Sequence, residues 1–140
     1  MALEAKELFE KALQLDPQNE SLKIELGSCY LFGHISEMPM EGIRMIREVA
    51  EKDPENMYAQ FTLGMGAMVS NQLDKAIERF TIVAQHEPAN LGAKLLLAEA
   101  YERKEDKANA LKWYQESKKQ TKEAQLIQDI DKRIDLLNKK

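Results

Sequence analysis

The sequence predicts an all-α protein built from stacked helix–turn–helix repeats. Three prolines, Pro17, Pro54 and Pro88, recur at nearly constant spacing. Each proline follows an acidic residue and precedes an asparagine by two positions. Such a period indicates repeats that bury their apolar faces against one another. No segment alternates apolar and polar residues with the period of two that a strand requires.

A second pattern returns between the prolines in the same order. A leucine and a small residue begin a five-residue motif, at Leu26-Gly27-x-x-Tyr30, Leu63-Gly64-x-x-Ala67 and Leu97-Ala98-x-x-Tyr101. Further along each repeat, a small residue precedes a large one by four positions, in the pairs Ala5 and Phe9, Gly42 and Ile46, Ala76 and Phe80, and Ala110 and Tyr114. Residues four apart share a helix face, so each pair offers a neighbouring helix one close contact and one bulky side chain.

These motifs resemble the tetratricopeptide repeat (TPR) family, whose unit carries the pattern W-x2-L-G-x2-Y, A-x3-F, P. The resemblance covers nearly the whole chain and implies a right-handed α-solenoid with a C-terminal capping helix. It predicts one domain over residues 1–140, in which 3–16 is the second helix of a truncated repeat. Complete repeats are expected at 20–53, 57–87 and 91–119, and a capping helix at 120–138.

The first complete repeat is three residues longer than the standard period. The surplus is expected in its internal turn, residues 33–40, with Pro39 at or near the start of the following helix. The capping helix is predicted from the apolar residues Ile127, Ile130, Ile134 and Leu137, which recur at three- and four-residue spacing. A terminal repeat needs such a helix, because its outer side faces water.

Composition and charge narrow the classes of partner. Hydrophobic residues make up 44% of the chain, charged residues 31%, and the formal net charge is −4. The basic residues of the C-terminal part are interleaved with acids, as a solvated helix face would be, and this argues against nucleic acid. No run approaches the roughly 20 apolar residues that a membrane span needs. We therefore expect the chain as given to be soluble.

The residues that could carry chemistry are few and scattered. Cys29 is the only cysteine, and it adjoins no cationic residue, so it is expected to be structural. His34 and His86 lie in or beside turns, without a partner at metal-ligand spacing. The sequence contains no phosphate-binding glycine loop and no nucleophile elbow. We predict no catalysis, no cofactor, no metal and no small-molecule substrate.

On the first helix of each repeat, a stripe of residues on a different side from the inward-packing leucines suggests a binding surface. Its residues occupy i, i+4 and i+7 positions, about 200° from the leucines that pack inward. In TPR proteins the first helices line the concave groove that holds a partner peptide, so the resemblance assigns the stripe to a groove. With Tyr58 beside it, the stripe comprises Ile24, Ser28, Leu31, Phe61, Met65, Met68, Leu95, Glu99 and Glu102. The alternative is that neighbouring first helices bury some of these side chains, Ile24 and Leu95 above all.

The residues of the stripe argue against membership in one TPR subfamily. Co-chaperone domains hold a C-terminal carboxylate with lysine, asparagine and arginine side chains of their first helices. The matching positions here include Phe61, Met65 and Glu99, which offer a carboxylate apolar surface and a like charge.

The function predicted from the sequence is a non-catalytic scaffold that binds a partner peptide or protein. Two alternatives stay open: a self-assembly module that uses the exposed face of residues 3–16, and a regulatory subunit of a larger bacterial envelope complex. Three segments resemble a bacterial TPR group that has an N-terminal membrane anchor. They are the sequence Gly27-Ser28-Cys29-Tyr30, the long turn with Pro39, and the segment from Ile46 to Pro54. That resemblance implies an anchor upstream of Met1 and a place at the cell envelope; without an anchor, the chain would be cytoplasmic.

Overall fold

A computed structural model of the chain describes residues 2–32 and 39–140, and within them all regular structure is helical. The predicted all-α fold class is confirmed. The turn expected to hold the three surplus residues lies mostly outside this range, since residues 33–38 are not among those described, and the next helix begins at Pro39. The helices are α1 (Ala2–Leu15), α2 (Glu20–Phe32), α3 (Pro39–Lys52), α4 (Met57–Val69), α5 (Leu73–His86), α6 (Leu91–Arg103), α7 (Lys107–Gln120) and α8 (Ala124–Asn138).

The three proline motifs form the turns that precede α2, α4 and α6. In each turn, the asparagine N–H donates to the carbonyl of the acidic residue three positions earlier, for example from Asn90 to Glu87 at 2.8 Å. The proline explains why the preceding helix stops, since the residue before a proline is disfavoured in the helical region. The asparagine explains why the next helix starts.

Each of these asparagines caps its helix with its side chain. Asn19 Oδ1 accepts the N–H of Leu22 at 3.0 Å, and Asn90 Oδ1 accepts the N–H of Ala93 at 3.0 Å. Asn56 does the same for Ala59 at 3.1 Å. Such a bond satisfies one of the N–H groups that a helix leaves unpaired at its start. The repeated motif therefore encodes both a helix end and the following helix start.

The chain forms two compact units, Met1–Val69 and Ser70–Lys140. In the first unit, α1 packs on α2, α2 packs on α3, and α4 contacts both α2 and α3. The core is formed by buried aliphatic side chains of α2, α3 and α4, which are Ile24, Ile46, Val49, Ala50, Ala59 and Leu63. The single domain predicted over 1–140 stays a prediction.

Two glycines bring α2 and α3 together in this first unit. A Cβ added at Gly27 would lie 2.9 Å from the carbonyl oxygen of Gly42 and 2.7 Å from Cγ1 of Ile46. The side chain of Ile46 is completely buried. The small residue of the first helix therefore meets both members of the Gly42 and Ile46 pair of the second.

In the second unit, α6 packs between α5 and α7, and α8 packs on α7. The core formed by the last three helices, α6, α7 and α8, consists of Ala98, Ala110, Tyr114, Ile130, Ile134 and Leu137. Three of the four apolar residues that predicted the last helix thus face this core, while Ile127 is partly exposed. The opposite side of α8 carries exposed Lys132 and Asp135.

Candidate protein-binding surfaces

The first candidate surface lies on the neighbouring helices α2 and α4, and we call it the α2–α4 face. Tyr58, Phe61 and Met65 project from α4 within an arc of about 60°, given 100° per residue. Tyr58 is 45% exposed, and Phe61 and Met65 are partly exposed. On α2, Ser28 and Leu31 are partly exposed as well. The α2–α4 face is therefore mainly aromatic, aliphatic and sulfur-containing, and its polar groups are the hydroxyls of Ser28 and Tyr58.

Two other residues predicted for this surface are buried. Ile24 has no exposed surface and belongs to the core of the first unit, together with Ala59 and Leu63 of α4. The cause is that the first helices α2 and α4 pack directly against each other, which encloses the side chain between them. Met68 retains 6% exposure. Neither side chain offers a partner appreciable surface in this conformation.

A hydrogen bond between the two helices orients Tyr58. Its hydroxyl donates to the carboxylate of Glu25 on α2. Partial burial, followed by this bond, raises the pKa of Tyr58 to about 12. The phenol is consequently neutral at physiological pH, and its ring stands at the edge of the α2–α4 face. A second polar contact, from Asn56 Nδ2 to Glu20 Oε2 at 3.0 Å, links the starts of the same two helices.

The second candidate surface is a shallow depression of about 240 Å³ in the second unit, which we call the α6–α8 pocket. Its floor and walls are apolar, whereas its rim carries charged side chains of both helices. It is lined by Leu95 and Glu99 of α6, Tyr114 of α7, and Leu126, Asp129, Ile130 and Arg133 of α8. Of the three residues predicted on α6, Leu95 and Glu99 line this pocket.

Glu102, the third predicted residue of α6, is occupied by internal contacts. Its Oε1 accepts the hydroxyl of Tyr114 at 2.7 Å, and its Oε2 lies 3.4 Å from Nη1 of Arg133. The side chain of Glu102 is only 17% exposed. Burial, and then the bond to this carboxylate, raises the pKa of Tyr114 well above its usual value. Glu102 therefore ties α6, α7 and α8 together and holds Arg133 at the pocket edge.

The contribution of α8 is what the sequence interpretation missed, because it treated this helix only as a cap. A signal for it was available. Asp129 follows Leu95, and Arg133 follows Glu99, at the same interval that separates Pro54 from Pro88. Since that interval is the repeat period, Asp129 and Arg133 of α8 occupy the positions that the stripe has on the first helix of a repeat.

Cys29 and His86 have local surroundings consistent with structural roles. Cys29 is partly buried, and desolvation followed by the nearby charge of Glu25 raises the pKa of its thiol. A raised pKa disfavours the reactive thiolate. His86 lies at the end of α5, with Nδ1 2.9 Å from the carbonyl oxygen of Ile82.

Comparison with known proteins agrees with this geometry. Residues 61–124 match a family model described as tetratricopeptide repeat. This segment therefore carries the tetratricopeptide-repeat pattern. The matched segment contains most of α4, all of α5, α6 and α7, and the first residue of α8. Among curated proteins, no sequence matches the chain.

Solved TPR structures resemble this fold. The crystal structure of YrrB, described as a TPR protein with an unusual peptide-binding site, is 26% identical with a TM-score of 0.78, and the match covers 94% of this chain and 66% of YrrB. Two crystal structures of MamA are 18% and 19% identical, with TM-scores of 0.71 and 0.70. The matches cover 83% of this chain, and 66% and 62% of the two MamA chains. At that identity the MamA structures show the fold, and this chain spans just under two thirds of the solved chains.

Within residues 2–32 and 39–140, no helix has both the length and the apolar character needed to cross a bilayer.

Proposed function

We propose that this chain is a non-catalytic scaffold that binds a segment of a partner protein, and that the α2–α4 face is a principal contact surface. The observation that carries the proposal is the set of partly exposed Tyr58, Phe61 and Met65 on one face of α4, next to Leu31 of α2. Aromatic residues and methionine are enriched in protein interfaces, where a few such residues supply most of the binding energy. The peptide-binding site described for YrrB, whose fold this chain shares, supports the same class of function.

The chemistry of the face favours an apolar segment as its partner. Methionine adapts its shape to irregular surfaces, and Tyr58 keeps its hydroxyl hydrogen-bonded to Glu25 while its ring stays exposed. A partner that covers Phe61 and Met65 gains the burial of contiguous apolar area, at roughly 25 cal/mol per Å² before the costs of association.

Two substitutions on α4 test the proposal. Partners captured from the source cell by the immobilised chain are identified by mass spectrometry, and the affinity of the purified partner is then measured by calorimetry. Phe61→Ala and Met65→Glu should each weaken binding by about 1–2 kcal/mol or more, which is roughly 5- to 30-fold. Met40→Glu is the matched control, because Met40 is a 73% exposed methionine on the second helix α3.

The melting temperature of each variant separates binding from folding. If Phe61 is chiefly a core residue, Phe61→Ala lowers the melting temperature by a core-like amount and the folded variant still binds normally. That result, together with normal binding by Met65→Glu, contradicts the proposal.

A second candidate function is self-assembly through α1. Leu8 and Leu15 lie two helical turns apart on one face of this helix, and they are 66% and 89% exposed. A copy of the chain that covered them would remove two leucines from water. Light scattering after size-exclusion chromatography tests self-assembly. A molar mass that rises with concentration in the parent, but stays that of a monomer in the double variant Leu8→Ser/Leu15→Ser, supports self-assembly. A constant monomer mass in both proteins contradicts it. The regulatory-subunit role and the membrane-anchored location remain predictions.

A further inference from the structure

We infer that the α6–α8 pocket is a subsite for a lysine or arginine side chain of the bound segment. The inference rests on the proposed function, because it specifies one residue of the partner. It starts from the shape of the pocket, whose apolar part is formed by Leu95, Leu126 and Ile130 and is open to solvent on one side. A depression of about 240 Å³ accommodates one long side chain and not a folded element.

The charges at the rim indicate which kind of side chain fits. Arg133 lies beside the carboxylate of Glu102, and Arg103 lies 3.0 Å from the carboxylate of Glu99. These two arginines and two glutamates offset one another. Asp129 remains, and its carboxylate accepts a hydrogen bond from the neutral amide of Gln125 at 3.1 Å. The rim therefore carries a net negative charge, located at Asp129.

A basic side chain satisfies both features of the pocket. Its methylene groups cover Leu95 and Leu126, and its charged end reaches Asp129 and the exposed side of Glu99. Lysine and arginine commonly bury their stems on apolar surface while their charged ends stay in water. A glutamate or aspartate of the partner would meet Asp129 with a like charge, and its short stem would leave the apolar floor uncovered.

Nuclear magnetic resonance on the full chain tests the inference with single-residue probes. N-acetyl-lysine methylamide, N-acetyl-norleucine methylamide and N-acetyl-glutamate methylamide are titrated at equal ionic strength, and the amide resonances of α6 and α8 are followed. Norleucine has the apolar stem of lysine without the charge. We expect the lysine probe to shift the resonances of Leu95, Leu126 and Asp129, and to bind about two- to fivefold more tightly than the norleucine probe, as for an exposed ion pair.

Two variants of α8 provide the matched comparison. Asp129→Asn removes the charge but keeps an acceptor for Gln125, so it should reduce lysine binding to the norleucine level and leave norleucine binding unchanged. Asp135→Asn makes the same change on the exposed outer side of α8 and should alter neither. Added salt should weaken the lysine probe selectively, because exposed charges are screened.

Three outcomes would overturn the inference: equal binding of lysine and norleucine, stronger binding of glutamate than of lysine, or no shift in the pocket with any probe. None of these outcomes affects the α2–α4 face. If partner binding still depends on Phe61 and Met65 while the lysine probe fails, the subsite is wrong and the proposed function stands. If the lysine probe binds but Phe61→Ala and Met65→Glu leave partner binding intact, the lysine subsite stands and the α2–α4 face is wrong as a principal contact surface.

Discussion

Gly27 and Gly42 place the backbones of α2 and α3 in direct contact. A Cβ at Gly27 would come within 2.9 Å of the Gly42 carbonyl oxygen, and a Cβ at Gly42 would collide with the Gly27 carbonyl oxygen and come within 3.0 Å of the Leu31 amide nitrogen. Each glycine thus faces backbone atoms, which cannot rotate away as the end of a side chain can.

The first prediction concerns this contact. Gly42→Ala should lower the free energy of unfolding by about 1–3 kcal/mol, because the added methyl group forces the helices apart. Gly66→Ala should cost less, since its new Cβ meets only the flexible end of Leu31, at 2.8 Å. Gly92→Ala, at an exposed position of α6, is the control and should be neutral or slightly stabilising. Urea denaturation followed by circular dichroism measures all three, and equal stability of Gly42→Ala and the parent would contradict the close approach.

The second prediction concerns the helix cap at Asn90. Asn90→Ala should destabilise the chain by about 0.5–2 kcal/mol, because the N–H of Ala93 loses its acceptor at the start of α6. Asn90→Ser keeps an oxygen in a capping position and should retain most of the stability. Thermal and urea unfolding compare the two variants. If serine is as damaging as alanine, the capping bond is not the source of the effect.

The third prediction is a loss of stability at alkaline pH through Tyr114. Burial and the bond to Glu102 raise the pKa of Tyr114 in the folded chain above the unfolded value of about 10. The folded state then keeps a proton that the unfolded state has lost, so this tyrosine's contribution to the unfolding free energy is constant below about pH 10 and falls above it. Tyr114→Phe should reduce that slope and cost about 1–3 kcal/mol at neutral pH. Urea titrations at several pH values, followed by fluorescence of the single tryptophan Trp113, measure both effects; an unchanged slope would argue against the assignment.

The fourth prediction concerns the turn between α6 and α7. Glu105 has a φ of 64°, in the left-handed region that residues with a side chain adopt at a cost. Glu105→Gly should therefore raise stability by up to about 1 kcal/mol. The matched control is Glu116→Gly on the exposed side of α7, which should lower stability by about 1 kcal/mol because glycine disfavours a helix interior. Destabilisation by both substitutions would show that the side chain of Glu105 contributes more than its backbone strain costs.

Much of the fold follows from short-range features of the sequence. Each proline motif contains within a few residues both the signal that ends one helix and the asparagine that caps the next, as at Pro88 and Asn90. The apolar spacing of Ile130, Ile134 and Leu137 predicted the buried side of α8. These signals act between residues close in the chain, so they can be recognised without knowing the packing of the helices.

The candidate surfaces depended on tertiary structure to a greater extent. The sequence placed Ile24 and Phe61 at equivalent positions of their helices, yet Ile24 is fully buried and Phe61 is partly exposed. On α6, the sequence predicted the stripe but not the residues of α8 that face it. Asp129 and Arg133 of α8 complete the pocket.

The sequence by itself determined the repeat, the helix ends and the stripe on each first helix, because all three follow from local spacing and from the rotation per residue in a helix. Only the tertiary structure decided which members of the stripe reach solvent. Exposure depends on which helices pack together, and in the first unit the packing of α4 against α2 encloses Ile24 while Phe61 stays partly exposed, a contact between residues far apart in the sequence.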